Sequence, residues 1–261
     1  MTHTELALIT GASSGIGLEL AREFARDGYD LVVAAEDDAI HDVPAALSAY
    51  GVAVHPIQVD LRTADGVEHL FASAIEGGRE LSVAALNAGV GRGDMFLNSD
   101  LHDDLSVVDL NVRSTVHLAK LVLRDMADRN RGRVLFTSSV ASMMPGSYQT
   151  VYNASKSFVQ SFVRALQDEL RNTPITVTAL LPGPTDTNFF DRAKLRGTPV
   201  GEMPKDDPAK VARQGYEALM RGDRQVVAES VMSKAMGAML RVLPDPVKAA
   251  GNRLLSAPSG R

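Results

Sequence analysis

The sequence predicts a doubly wound parallel α/β fold in a single domain over residues 1–261, and three observations carry that expectation. Short apolar runs alternate with amphipathic stretches from the first residues onward. The runs are apolar throughout, as parallel strands covered on both faces require. At 261 residues and 45% hydrophobic content, the chain can bury one large core.

Taken in order, LALIT (6–10) reads as a buried strand, 15–26 as a helix, DLVVAA (30–35) as a second strand and 43–50 as a helix. VAVHPIQV (52–59), a helix near 64–75 and VAALNAG (83–89) continue the pattern. A long helix over about 103–128 leads to RVLFTSS (133–139), a helix within 149–170 and ITVTALLP (175–182). After Pro182 the character changes. Pro184, Gly197, Pro199, Gly201, Pro204 and Pro208 predict a long loop or lid over about 185–208, broken by a short helix. From about 230 to 261 the chain reads as an amphipathic extension. VMSKAMGAMLRVL (231–243) is apolar over a wide arc, and Lys234, Arg241, Lys248, Arg253 and Arg261 face one acid, Asp245. Such a tail can lie on anionic lipid, but covering the active site or packing between subunits is the preferred expectation.

Composition narrows the function classes. The chain has no cysteine, which removes disulfides, thiolate nucleophiles and cysteine-held metals. His3, His41, His55, His69, His102 and His117 are scattered without ligand spacing, so no metal site is expected. A net charge of -5 with mixed signs leaves no broad basic face for nucleic acid and points to a small-molecule partner. MTHTELALIT carries neither a basic leader nor a signal-length apolar run, which predicts a cytoplasmic chain.

Between the first strand and helix lies TGASSGIG, residues 10–17. At that crossover glycines admit the backbone of a dinucleotide's pyrophosphate, and the helix N-terminus offers free N–H groups and a positive dipole end. No lysine follows, so the GxxxxGK[ST] loop of ATPases and GTPases is absent. Farther on, YNASK sets Tyr152 and Lys156 four residues apart, one turn along the same helix face.

The glycines fall as GxxxGxG (Gly11, Gly15, Gly17), and here the sequence resembles the short-chain dehydrogenase/reductase family. The likeness extends from about residue 6 to 187. Asn87-Ala88-Gly89 matches the family's NAG motif, Asn111 its helix asparagine, Ser139 its serine, Tyr152 and Lys156 its YxxxK, and Pro182-Gly183 its PG turn. The resemblance implies a Rossmann-type domain that interconverts an alcohol and a ketone or aldehyde by hydride transfer. By the same resemblance Tyr152 is the acid/base and Lys156 lowers its pKa and holds the nicotinamide ribose. Ser139 then hydrogen-bonds the substrate oxygen, and Asn111 helps hold a water relaying protons to Lys156. Gly11, Ser13, Ser14, Gly15, Ile16, Gly17, Asn87, Ala88, Gly89, Pro182, Gly183, Thr185 and Thr187 are implied cofactor contacts, with Asp60 and Leu61 at the adenine.

Chemistry supports those roles. A free tyrosine titrates near ~10, too high for a base at neutral pH, and a nearby ammonium favours the phenolate. Cofactor choice is read at LVVAAEDDAI. Glu36 stands 19 residues after Gly17, near the spacing of a ribose-binding acid, and Ser13 and Ser14 bring no basic side chain. NAD(H) is therefore expected over NADP(H). Met143, Met144, Pro145, Tyr148, Phe189 and Phe190 are the expected substrate contacts and suggest an apolar alcohol or carbonyl compound. A homodimer or homotetramer is implied by the resemblance alone. The rival expectations are a nucleotide-binding scaffold without turnover and an epimerase or dehydratase on the same sheet.

Overall fold

In the computed structural model, residues 5–228 and 243–257 are described. Strands β1 (Leu6–Thr10), β2 (Asp30–Ala35), β3 (Val54–Gln58), β4 (Leu81–Leu86), β5 (Gly132–Thr137), β6 (Ile175–Pro182) and β7 (Gln225–Ala228) form one parallel sheet in the order β3-β2-β1-β4-β5-β6-β7. The chain winds outward from β1 in one direction and from β4 in the other. The crevice between the carboxyl ends of β1 and β4 is therefore the topological switch point where such sheets bind ligands.

The strands are apolar on both faces because both faces are covered. Leu6, Leu8, Val32 and Ala34 join one core, under α3 (Ala64–Ala74), α5 (Ser114–Asp128) and α6 (Thr150–Glu169). Their neighbours Ala7, Ile9, Leu31 and Val33 join the other, under α1 (Gly15–Arg26), α2 (Val43–Leu47) and α9 (Pro208–Arg221). Period-two alternation thus divides the side chains of each strand between two cores. β3 is an edge strand, which is where Pro56, lacking an N–H, can be tolerated.

Three elements differ from expectation. The helix expected over 43–50 is α2 followed by a 3-10 turn, Ser48–Tyr50. The long helix begins earlier, as α4 (Leu101–Val108), with Asp100 accepting hydrogen bonds from the N–H groups of His102 (2.8 Å) and Asp103 (3.2 Å). It is interrupted before α5 by a π turn at Asp109–Arg113. The region expected as a loop over 185–208 carries two one-turn helices, α7 (Phe189–Arg192) and α8 (Pro199–Glu202), and is followed by α9 and β7, which the sequence reading did not anticipate. The last described helix, Asp245–Ser256, packs against the 147–149 loop through Asn252 Nδ2, which donates to the Ser147 carbonyl at 2.8 Å. Most of the amphipathic segment expected at 231–243 lies outside the described residues. No described helix is long and apolar enough to cross a membrane.

Candidate active site

The phosphate loop leaves β1 at Thr10 and enters α1 at Gly15. Gly11 and Gly15 have φ of 65° and 57°, in the left-handed region where a side chain would be strained. Gly17 answers a different need. A Cβ there would lie 2.0 Å from the Gly11 carbonyl oxygen, so only glycine lets α1 sit this close to the loop. Ser14 is the N-cap of α1 yet makes no side-chain capping bond, and the first turn of α1 has no acidic residue. The open N–H groups and the dipole of a 12-residue helix therefore face the cleft without an internal partner from Ser14.

Around this loop a cavity of about 250 Å³ runs along the carboxyl edge of the sheet. Among the residues singled out from the sequence, Gly11, Ser13, Ser14, Gly15, Ile16, Gly17, Glu36, Asp60, Leu61, Asn87, Ala88, Gly89, Ser139, Tyr152, Lys156, Pro182, Gly183, Thr185 and Thr187 all line it. Asn111 does not. It is 1% exposed and sits in the π turn, where Oδ1 accepts from Val90 N (2.9 Å) and Nδ2 donates to Val90 O (2.8 Å) and Ser155 Oγ (3.0 Å). Its side chain clamps the chain just after the NAG segment instead of reaching the cleft.

Thr10 and Thr137 went unnoticed in the sequence as ties within the site. Thr10 Oγ1 accepts from the N–H groups of Asn87 and Ala88, both at 3.0 Å, so the end of β1 holds the end of β4. Asn87 then accepts from Thr137 Oγ1 at 3.0 Å and donates to the Thr10 carbonyl at 3.1 Å, linking β1, β4 and β5.

Ser139 follows β5 and caps a 3-10 turn, Val140–Met143, by accepting from Ala141 N at 3.1 Å. Tyr152 and Lys156 lie on the buried face of α6. Burial pushes the Tyr152 phenol up to about 12, opposed by its hydrogen bond with Ser139. Burial pushes the Lys156 ammonium down to about 8; Nζ donates to the Thr137 carbonyl at 3.0 Å and stands 6.0 Å from the centre of the Tyr152 ring. The expected lowering of the phenol by lysine is not what dominates: loss of water raises the phenol and disfavours both charged forms, and the opposing influence on Tyr152 is Ser139. At neutral pH the pair is a protonated phenol beside an ammonium.

At the other end of the cleft, Glu36 is ion-paired with Arg62, which also reaches Asp60 at 3.0 Å. Asp37 accepts from Ser13 Oγ and from Arg192 of α7, both at 3.1 Å. Its Oδ1 is buried and has no hydrogen-bond partner among the described residues. The acidic side chains fit a ribose that donates hydroxyl groups, and the glycine cradle fits a pyrophosphate, so the residues present suit a dinucleotide.

Part of the cleft wall is apolar. Of the residues expected to contact substrate, Met144, Phe189 and Phe190 line the cleft, the Phe189 ring 5.1 Å from that of Tyr152. Met143, Pro145 and Tyr148 do not line the cavity; Met143 packs against the sheet core. Leu195, Val200, Met203 and, from the C-terminal helix, Asn252 and Leu255 also line it. The helix carrying the last two has no local sequence signal tying it to a cleft so distant along the chain.

Comparison with known proteins places these features in context. A family model described as short chain dehydrogenase matches residues 5–196. A short-chain type dehydrogenase/reductase of uncharacterised function from Sinorhizobium fredii is 30% identical over 100% of this chain and 94% of its own length. A short-chain dehydrogenase/reductase from Burkholderia phymatum, solved in complex with NAD, superposes with a TM-score of 0.82 at 25% identity, covering 92% of each chain. A short-chain dehydrogenase from Sphingobium yanoikuyae, solved in complex with NADPH, gives 0.80 at 26% identity, covering 92% of this chain and 96% of the other.

Proposed function

The chain belongs to the short-chain dehydrogenase family of oxidoreductases, and from that premise we propose that it interconverts an apolar alcohol and its ketone or aldehyde, with Tyr152 as the acid/base. The observation that carries this reading is the meeting of Ser139, Tyr152 and Lys156 in the same cleft as the glycine cradle. When bound, a nicotinamide dinucleotide supplies or accepts the hydride. The protein handles the proton.

In reduction, negative charge develops on the carbonyl oxygen, and the protonated phenol gives its proton to that oxygen while the Ser139 hydroxyl donates a hydrogen bond. A phenol pushed up to about 12 is fully protonated at pH 7, so the resting side chain is ready as the acid. Lys156 holds the ribose hydroxyls and places its positive charge near the phenolate left behind. Oxidation runs the same proton backward and needs the phenolate, which the ammonium and a cationic nicotinamide would favour together.

NAD(H) is the proposed cofactor, with NADP(H) the weaker ligand. Glu36, Asp37 and Asp60 line the ribose end of the cleft against two arginines, Arg62 and Arg192, and an extra phosphate would enter a net negative site. Met144, Phe189, Leu195, Val200, Met203 and Leu255 support an apolar substrate. The same reading has the protein act in the cytoplasm as a homodimer or homotetramer. A titration of wild-type protein and Tyr152→Phe with NADH and NADPH at one ionic strength, followed by nicotinamide fluorescence, tests it. NADH is expected to bind more tightly, and Tyr152→Phe to bind it within about threefold of wild type while losing turnover by roughly 10²-fold or more. Turnover retained in Tyr152→Phe would remove it as the acid/base.

A further inference from the structure

The C-terminal helix, Asp245–Ser256, faces the protein with the wrong side for a helix that only fills space. A surface helix normally turns its apolar stripe inward. Here the two buried residues are polar, Asn252 and Ser256, 5% and 2% exposed, while Val247 and Leu254 are 50% and 74% exposed. Asn252, Leu255 and Ser256 fall at i, i+3 and i+4, on one face of the helix. Asn252 and Leu255 line the cleft.

That face is seated on the loop leading into α6. Asn252 Nδ2 donates to the Ser147 carbonyl at 2.8 Å, Ser147 Oγ to the Ala249 carbonyl at 3.5 Å, and Gln149 Nε2 to Ser256 Oγ at 2.8 Å. The loop is held from its other side as well. Asp94 N donates to the Tyr148 carbonyl at 2.8 Å, and Tyr148 has a φ of 64°, in the left-handed region. Gln149, which also lines the cleft, stands three residues before Tyr152, so the helix rests at the Tyr152 end of the cleft.

The orientation of the Asn252 carboxamide follows from its partner. A backbone carbonyl only accepts, so the amide nitrogen must face Ser147 and the oxygen points elsewhere. Oδ1 receives no hydrogen bond from any described residue, and it is not among the atoms closed to solvent without a partner, as Asn153 Oδ1 is. We propose that Asn252 is a specificity-determining residue whose Oδ1 accepts a hydrogen bond from a second hydroxyl of the substrate, so that the compound turned over is an apolar molecule with a hydroxyl apart from its reacting carbon. This deepens the dehydrogenase reading above and rests on it. Phe189, Leu195, Val200 and Leu255 house the apolar body. An analogue without the hydroxyl leaves an acceptor unpaired in a site it has emptied of water, which is how a polar pocket rejects an apolar isostere.

The probes are acetophenones carrying a hydroxymethyl group or, as its apolar match, an ethyl group at the meta or para position. The wild-type protein with NADH is expected to favour the hydroxymethyl compound by about tenfold in kcat/KM at one of the two positions, chiefly through KM. Asn252→Leu should reverse the order in favour of ethyl. Ser256→Ala removes the tie to Gln149 without touching the cleft lining, so it should change both compounds together and keep their ratio. The same ranking is read without turnover as ketone binding to Tyr152→Phe loaded with NADH, followed by nicotinamide fluorescence. No hydroxymethyl preference in the wild type at either position, or an undiminished preference in Asn252→Leu, would overturn the inference and leave the dehydrogenase reading standing. Failure of the wild-type protein to bind either dinucleotide would overturn both.

Discussion

Lys156 is a charge held in a place that disfavours charge. It is 5% exposed, and burial pushes it down to about 8, whereas in the unfolded chain it titrates near ~10.4. Between those values the unfolded chain binds more protons than the folded one, so stability rises with pH from about 8 to about 10.4. Below that window the whole penalty applies, on the order of 3 kcal/mol. Tyr152 has the opposite sign. Its folded value is raised to about 12, so its contribution is present below ~10 and lost as pH climbs from there to about 12. Lys156→Met is therefore expected to abolish turnover yet raise thermal stability at pH 7 by about 1–3 kcal/mol. Melting curves from pH 7 to 10 check it, because the gain must shrink as the wild-type lysine neutralises. A destabilised variant, or a gain independent of pH, would contradict this account of the site.

The decisive features of the elements lie at their ends. α1 begins where Gly11, Gly15 and Gly17 let loop, helix and the NAG segment approach, and a Cβ at Gly17 would also come within 2.7 Å of Asn87 Nδ2. Gly17→Ala must push α1 away from a backbone oxygen. It is expected to cost about 1–3 kcal/mol by overpacking and to weaken dinucleotide binding further than it lowers stability. Paired melting and NADH titration would show this; normal affinity in a stably folded Gly17→Ala would mean that the cradle is not where the pyrophosphate rests. The π turn at Asp109–Arg113 has a similar local purpose, since it turns Asn111 inward to grip both polar groups of Val90. α9 has clear boundaries of its own. Asp207 caps it by accepting from Ala209 N at 2.9 Å, Pro208 opens it and Gly222 closes it at φ 75°. Those are ordinary helix start and stop signals. Pro208 also continues the run of prolines before it, Pro199 and Pro204, which masks the signal in the sequence.

At the scale of the molecule, a band of apolar side chains faces outward on and before α4. Leu97 and Leu101 are 88% and 68% exposed, and Phe96 and Leu105 are more than half exposed. Phe158 of α6, a helix packed beside α4, is exposed as well. A patch of this kind commonly marks an interface, and a second copy of the chain is its proposed occupant. Light scattering on the purified protein should give the mass of a dimer or tetramer, and Leu101→Glu with Leu105→Glu should shift it to the monomer with the circular dichroism spectrum retained. A monomeric wild type would sink the proposal. The C-terminal helix makes the other long-range contribution. Gln149 Nε2 donates to Ser256 Oγ at 2.8 Å, and Asn252 and Leu255 reach the cleft, so the C-terminal helix shapes its wall.

Six of the seven described strands, the glycine cradle and the shared helix face of Tyr152 and Lys156 are legible in the sequence because each depends on forces that act over a few residues, whereas Ser139 is singled out by the family resemblance. Apolar runs must be buried, glycine alone accepts left-handed turns, and residues four apart on a helix share a face. β7 escaped because four residues following an unanticipated helix carry too little pattern. Other features depended on assembly. The pairing of Glu36 with Arg62 and of Asp37 with Arg192 joins residues 26 and 155 positions apart, and no local rule selects those partners among so many charges. The direction of the Tyr152 shift was likewise hidden, since it depends on how much water the whole fold excludes from one phenol. Short-range stereochemistry is written residue by residue, whereas desolvation and the choice of ionic partner are collective consequences of which distant segments the sheet brings together.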